Sequence, residues 1–283
     1  MIAPNILIEP KELACFMAKD NIAIVDTRSK EAFEAAHIKG AVNIPDIFTY
    51  LASSDKTGIS AMRKFLAKKF GDAGINNKKT VVFYEQDMRS GFGQSCRGHF
   101  ILSYLGNDNS HVLHGGLDAW VSNGYSVTEF ITKITPANFE LSEAGKSLIV
   151  DKYDVLSSLN QNMVTLLDVR DVDEWIGESS SPYGKDFSPR KGRIPGAKWL
   201  EWYRMMKPDG SIKSPNEVRA ECLNAGIDFS KPIWLYCFKG SRTSNTYVAL
   251  KQAGFKNIAT YFGSWNEWSQ DQRLPIETGM PER

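Results

Sequence analysis

Cysteine is scarce in this 283-residue sequence. The four cysteines, at positions 15, 96, 222 and 237, are widely spaced and form no C-x-x-C pair. That argues against a disulfide framework or a cysteine zinc site and predicts reduced thiols in a cytoplasmic protein. Net charge is missing too: 34 Lys and Arg against 33 Asp and Glu leave +1. No global field therefore points to nucleic acid or an anionic membrane, and any electrostatic recognition must be local. No apolar run approaches the ~20 residues of a membrane-spanning helix. The opening stretch MIAPNILIEPKELACFMAKDN lacks a basic segment followed by an apolar one, which predicts no signal peptide.

What is present is an ordinary globular composition, 42% hydrophobic and 24% charged, in a chain long enough for two domains. The chain also repeats itself. IAIVDTRSKEAFEAAHIKGAVNIP is echoed by VTLLDVRDVDEWIGE…RKGRIPGAKWL: an apolar run ending in Asp-x-Arg (Asp26 and Arg28, then Asp168 and Arg170), an acidic helix-like stretch with an aromatic (Phe33, Trp175), then Ile-x-Gly-Ala after His37 or Arg193. KTVVFYEQD corresponds to KPIWLYCFK. VLHGGLDAW corresponds to TYFGSWNEW, aligning Gly116 with Ser264 and Trp120 with Trp268. The short apolar runs are continuous, as in strands covered on both faces, and alternate with helical patterns. Two α/β domains are predicted, each a mostly parallel sheet with helices on both faces, over residues 1–130 and 147–283 with a linker at 131–146.

The halves differ at one decisive place. The second reads Tyr236-Cys237-Phe238-Lys239-Gly240-Ser241-Arg242; the first reads Tyr84-Glu85-Gln86-Asp87 with a longer loop. A cysteine between a buried strand and a helix sits over amides that lack intrahelical partners. Those amides, the positive end of the helix dipole and the neighbouring Lys239 and Arg242 favour thiolate over thiol. Gly240 permits the backbone geometry that lets several N–H groups converge. C-x4-R makes a small cradle, one residue shorter than the C-x5-R loop that surrounds a phosphate in tyrosine phosphatases, and suits one extra sulfur atom on the cysteine. The acidic first loop would repel an anion, so one active and one silent domain is the simplest reading.

The Asp-x-Arg strand end, the His/Arg-Ile-x-Gly-Ala turn, the C-x-x-G-x-R loop and GSWNEW together resemble the rhodanese family, in its tandem thiosulfate and 3-mercaptopyruvate sulfurtransferase arrangement. The resemblance implies double displacement through a Cys237 persulfide cradled by the amides of Phe238, Lys239, Gly240, Ser241 and Arg242. It implies no metal or organic cofactor, a thiosulfate-like donor, and cyanide, a thiol or a thioredoxin-like protein as acceptor. The basic loop favours thiosulfate, since the mercaptopyruvate branch carries a neutral Cys-Gly-Ser/Thr-Gly loop. One departure stands out: where the animal-type branches place a donor-binding arginine four residues after the Asp-x-Arg arginine, this chain has Glu174. A 3-mercaptopyruvate sulfurtransferase, a Cdc25-like phosphatase and a non-enzymatic persulfide relay are the competing functions; the basic loop and Glu174 speak against the first and loop length against the second.

Asp168 and Arg170 read as a framework pair supporting the loop and Trp265 as core packing beside it, whereas Arg242 either pins the loop or touches the donor. His37 reads as a solvated turn histidine, Arg190, Lys191 and Arg193 as an exposed loop, and Cys15, Cys96 and Cys222 as bystanders, with Cys15 and Cys222 on apolar helix faces. A monomer is expected, with no nucleic-acid or membrane partner.

Overall fold

The structure, a computed structural model, describes residues 5–18, 21–47, 53–159 and 161–281. Two compact units make it up, one built mainly of residues up to Lys146 and the other mainly of residues from Ser147 onward.

The first unit holds β1 (Leu7–Ile8), β2 (Ile22–Asp26), β3 (Ala41–Asn43), β4 (Thr80–Tyr84) and β5 (Ser110–Leu113). They form one sheet in the order β1-β5-β4-β2-β3, every pairing parallel. The second unit repeats the plan with β6 (Ile149–Val150), β7 (Thr165–Asp168), β8 (Lys198–Trp199), β9 (Ile233–Tyr236) and β10 (Ile258–Tyr261), ordered β6-β10-β9-β7-β8 and again all parallel. Helices supply the crossovers that parallel neighbours require. The central runs are continuous because a central parallel strand is covered on both faces: Val81 to Tyr84 are all buried.

This order fixes where a site can form. From β2 the chain moves outward to β3, whereas from β4 it moves the other way to β5. The loops leaving β2 and β4 therefore diverge at their carboxyl ends and open a crevice; β7 and β9 do the same in the second unit. Equivalent cores brace the two crevices. Leu13, Phe33, Tyr84, Leu117 and Trp120 pack together in the first unit, and Val155, Ile194, Tyr236, Trp265 and Trp268 in the second. The indole N–H groups of Trp120 and Trp268 are satisfied by the Ser126 and Pro275 carbonyls, each at 2.9 Å.

Residues 129–140 form neither helix nor strand. The Ala137 amide bonds the Gly71 carbonyl, and Glu140 and Asn77 exchange hydrogen bonds. Among the described residues no helix is long and apolar enough to cross a membrane.

Candidate active site

Cys237 follows β9 at the carboxyl edge of the second sheet and is 1% exposed. Three residues on, Gly240 takes φ +89° and starts the helix Ser241–Gln252. That left-handed turn aims the Gly240 amide back at the sulfur, which it meets at 3.0 Å. Thr243 and Ser244 donate their hydroxyls to the Gly240 carbonyl at 2.8 and 2.7 Å, holding the turn from the helix side. On the other side the Cys237 amide donates to Ser264 Oγ at 3.2 Å, and the Trp265 amide to the Cys237 carbonyl at 3.0 Å. Sequence reasoning missed Ser264 as a partner of the cysteine. The available signal was its alignment with Gly116, since both residues have positive φ (+53° and +65°) and a non-glycine there is strained.

Arg242 points away from solvent. Its guanidinium makes a two-pronged contact with the Glu174 carboxylate, Nη1 to Oε2 at 2.5 Å and Nη2 to Oε1 at 3.0 Å, and Nη1 reaches Asp171 Oδ1 at 3.2 Å. Arg242 and Glu174 are almost wholly buried, whereas Asp171 is partly exposed. Burial by itself would lower the Arg242 pKa, but Glu174, reinforced by Cys237 and Asp171, holds it above the ordinary value. Of the two roles open to Arg242 in the sequence, the geometry is that of pinning the loop. The Arg242 charge is balanced within the fold by Glu174 and Asp171. Glu174 is its partner rather than a vacancy left by a lost arginine.

Asp168 and Arg170 form the frame beneath the loop. The Arg170 backbone amide and Nε each donate to Asp168 Oδ1, at 2.9 and 3.0 Å, and Nη2 donates to Oδ2 at 2.6 Å and to the Gly192 carbonyl at 2.8 Å. The guanidinium carbon lies 4.6 Å from the Trp265 ring centre and 5.4 Å from that of Tyr236. Asp168, Arg170 and Trp265 are all fully buried. The third guanidinium nitrogen, Arg170 Nη1, finds no hydrogen-bond partner among the described residues.

At the equivalent place in the first unit, Glu85 turns its carboxylate into the start of the helix Gln94–Tyr104. It accepts from the Gln94 and Ser95 amides, each at 3.2 Å, and from Ser95 Oγ. Complete burial pushes the Glu85 pKa up to about 7, against the lowering effect of those donors. The side chain fills the cradle so fully that a Cβ at Gly91 would stand 1.8 Å from Oε2.

The rhodanese-like domain model matches twice, over residues 9–123 and 151–271. The chain belongs to the rhodanese family. Its similarity to the thiosulfate sulfurtransferase of Azotobacter vinelandii is 26% identity over 96% of this chain and 97% of that one. It is 31% identical to the sulfur carrier protein TtuD of Thermus thermophilus, over 75% of this chain and 76% of that protein. Among solved structures, the anaerobic ergothioneine biosynthesis enzyme from Chlorobium limicola, in complex with its natural substrate trimethyl histidine, superposes with a TM-score of 0.85. Its identity is 25%, and the match covers 98% of this chain and 71% of that one. This tandem rhodanese is thus a sulfurtransferase, acting between a sulfur donor and an acceptor.

In the rhodanese frame several remaining residues fall differently from expectation. Arg190 is anchored rather than part of a plain exposed loop: it donates to the carbonyls of Trp268, Ser269, Asp271 and Leu274 at 2.6 to 2.9 Å. Arg193 is buried, with Glu277 and the Gly279 carbonyl as partners, because it sits in a backbone bridge to Glu277. Lys191 is partly covered and pairs with Asp186. His37 is fully buried rather than solvated; its ring stacks on Phe33 at 4.0 Å and meets the Phe33 and Phe130 carbonyls. Cys15 is exposed, contrary to its expected apolar face, whereas Cys96 and Cys222 are buried. Burial raises both of those thiol pKa values, that of Cys222 to about 12, which suits bystanders.

Proposed function

We propose that this protein moves a sulfane sulfur from thiosulfate to cyanide or a thiol through a persulfide on Cys237. The observation that carries the reading is the Gly240 amide aimed at Sγ from a helix start, in the position where the first unit has the Glu85 carboxylate. The Cys237 thiolate attacks the outer sulfur of thiosulfate, the donor S–S bond breaks, and its electron pair leaves on sulfite. The new terminal sulfur carries the negative charge, which the loop amides stabilise. Cyanide then attacks that sulfur, leaving as thiocyanate and returning the thiolate.

Residues 147–283 carry this chemistry, residues 131–146 link, and residues 1–130 are catalytically silent. Phe238, Lys239, Gly240, Ser241 and Arg242 form the persulfide loop, with Asp168, Arg170 and Trp265 as support. The donor's charge falls on Lys239 and the loop amides, since Arg242 is committed to Glu174. That commitment also disfavours a phosphatase, which needs a guanidinium for the phosphate. The buried Glu174 disfavours 3-mercaptopyruvate, whose carboxylate lacks a cation there. The cytoplasm, which keeps Cys237 reduced, is the fitting compartment.

Thiocyanate production from thiosulfate and cyanide, compared with 3-mercaptopyruvate as donor, tests the reading. Thiosulfate turnover should exceed mercaptopyruvate turnover and fall on the order of a thousandfold or more in Cys237→Ser. A preference for mercaptopyruvate overturns the donor assignment. The similarity to the sulfur carrier TtuD favours a second reading, a relay loaded by a protein partner, which poor loading from either small donor would support.

A further inference from the structure

Between the Asp-x-Arg arginine and the following bridge residue the two halves differ sharply in length. Arg28 to His37 is nine positions, whereas Arg170 to Arg193 is twenty-three. The extra chain, over residues 176–190, is built of turns, and it is braced rather than loose. Ser180 binds the Lys185 carbonyl through its amide and accepts the Ser188 amide on Oγ, both at 2.9 Å. The Tyr183 amide donates to Ser181 Oγ at 2.8 Å. The far end is moored by the four Arg190 contacts described above.

This excursion presents Tyr183, half exposed, and Phe187 against the persulfide loop. Their rings lie 5.5 and 5.9 Å from that of Phe238, the residue after the cysteine. The Lys239 ammonium stands 4.2 Å from the centre of the Tyr183 ring, within cation–π range. A lysine is a flexible point charge, and a donor anion profits from it only when it is held in place.

We propose that Tyr183 is a positioning residue for sulfur-donor binding: its ring holds the Lys239 ammonium beside Cys237. The excursion is then a donor-affinity element that only the thiol-bearing half possesses. The inference rests on the donor reading given under Proposed function.

The test is steady-state kinetics of Tyr183→Leu and Tyr183→Phe, each alone and with Lys239→Met. Tyr183→Leu should raise the KM for thiosulfate roughly three- to tenfold with kcat within twofold, and Tyr183→Phe, which keeps the ring face, should restore it. In the Lys239→Met background the Tyr183→Leu substitution should add nothing. An unchanged KM in Tyr183→Leu, an equal rise in Tyr183→Phe, or an undiminished effect without Lys239 overturns the proposal. Mass spectrometry of the unsubstituted protein separates the two readings. If thiosulfate adds one sulfur to Cys237 and the KM pattern fails, only the role of Tyr183 falls. If 3-mercaptopyruvate alone loads Cys237, the thiosulfate assignment falls and the same comparison is made on that donor. Should neither load, both fall.

Discussion

The carboxyl ends of β4 and β9 are the same place built twice, and they hold opposite things. After β9 a thiol receives the amide of a left-handed glycine at a helix start; after β4 a buried carboxylate occupies the corresponding nest. The frames beneath are nearly superimposable: Asp26 and Arg28 repeat the Asp168–Arg170 distances, 2.9, 3.0 and 2.6 Å. Tyr84 and Tyr236 each accept a backbone amide at 3.2 Å, from Ile38 and Ile194. A shared scaffold thus offers the same helix-start position in both units, filled by a thiol in one and by an internal carboxylate in the other.

The largest expected effect comes from the frame itself. Arg170→Ala and Arg28→Ala each strand a buried aspartate, and each should destabilise its unit by about 3–5 kcal/mol in urea unfolding. A variant of Arg170 that keeps its stability yet loses turnover would break the symmetry and make Arg170 a direct participant.

The next effect separates the nests by pH. The Glu85 pKa stands above its ordinary value, at about 7 against 4.5. Its contribution to stability is therefore fully present below about pH 4.5 and is lost as pH rises through about 7. Glu85→Gln should remove that slope, worth about 3 kcal/mol at most, in unfolding measured across this window. A slope that persists in the variant belongs to another group.

A smaller effect concerns the orphaned Arg170 Nη1. In the first unit the equivalent atom of Arg28 donates to Gln86 Oε1 at 2.8 Å, but the residue aligned with Gln86 is Phe238. Phe238→Gln should restore a charge-assisted hydrogen bond while losing aromatic burial, for a net change within about 2 kcal/mol. A much larger loss would show that packing against Tyr183 and Phe187 outweighs the hydrogen bond. The smallest expected effect is none: Glu85→Cys in a Cys237→Ser background should not restore thiocyanate formation. The helix of the first unit begins nine positions after residue 85, against four after Cys237, so the thiol lacks the tight glycine turn.

The contrast between thiol and carboxylate, the Asp-x-Arg frames and the doubling of the fold were legible in the sequence because they rest on local pattern and on comparison of the halves. The partners of charged side chains were not. Whether Arg242 pins the loop or touches the donor stayed open because its partner, Glu174, lies 68 positions away in the chain. Arg193 and His37 looked solvated because the bridges that bury them, to Glu277 and Thr128, join distant segments. Tyr183 gave no sign at all, being an aromatic in an irregular stretch.

By itself the sequence determined the duplicated α/β architecture, the family, and the one strand end of the equivalent pair that bears a thiol. Apolar periodicity, turn residues and residue type report on neighbours along the chain. Only the tertiary structure decided which cations are spent internally and which face the loop, because burial and pairing are set by segments that meet in space. It therefore placed Glu174 on Arg242, Ser264 on the Cys237 amide and Tyr183 on Lys239.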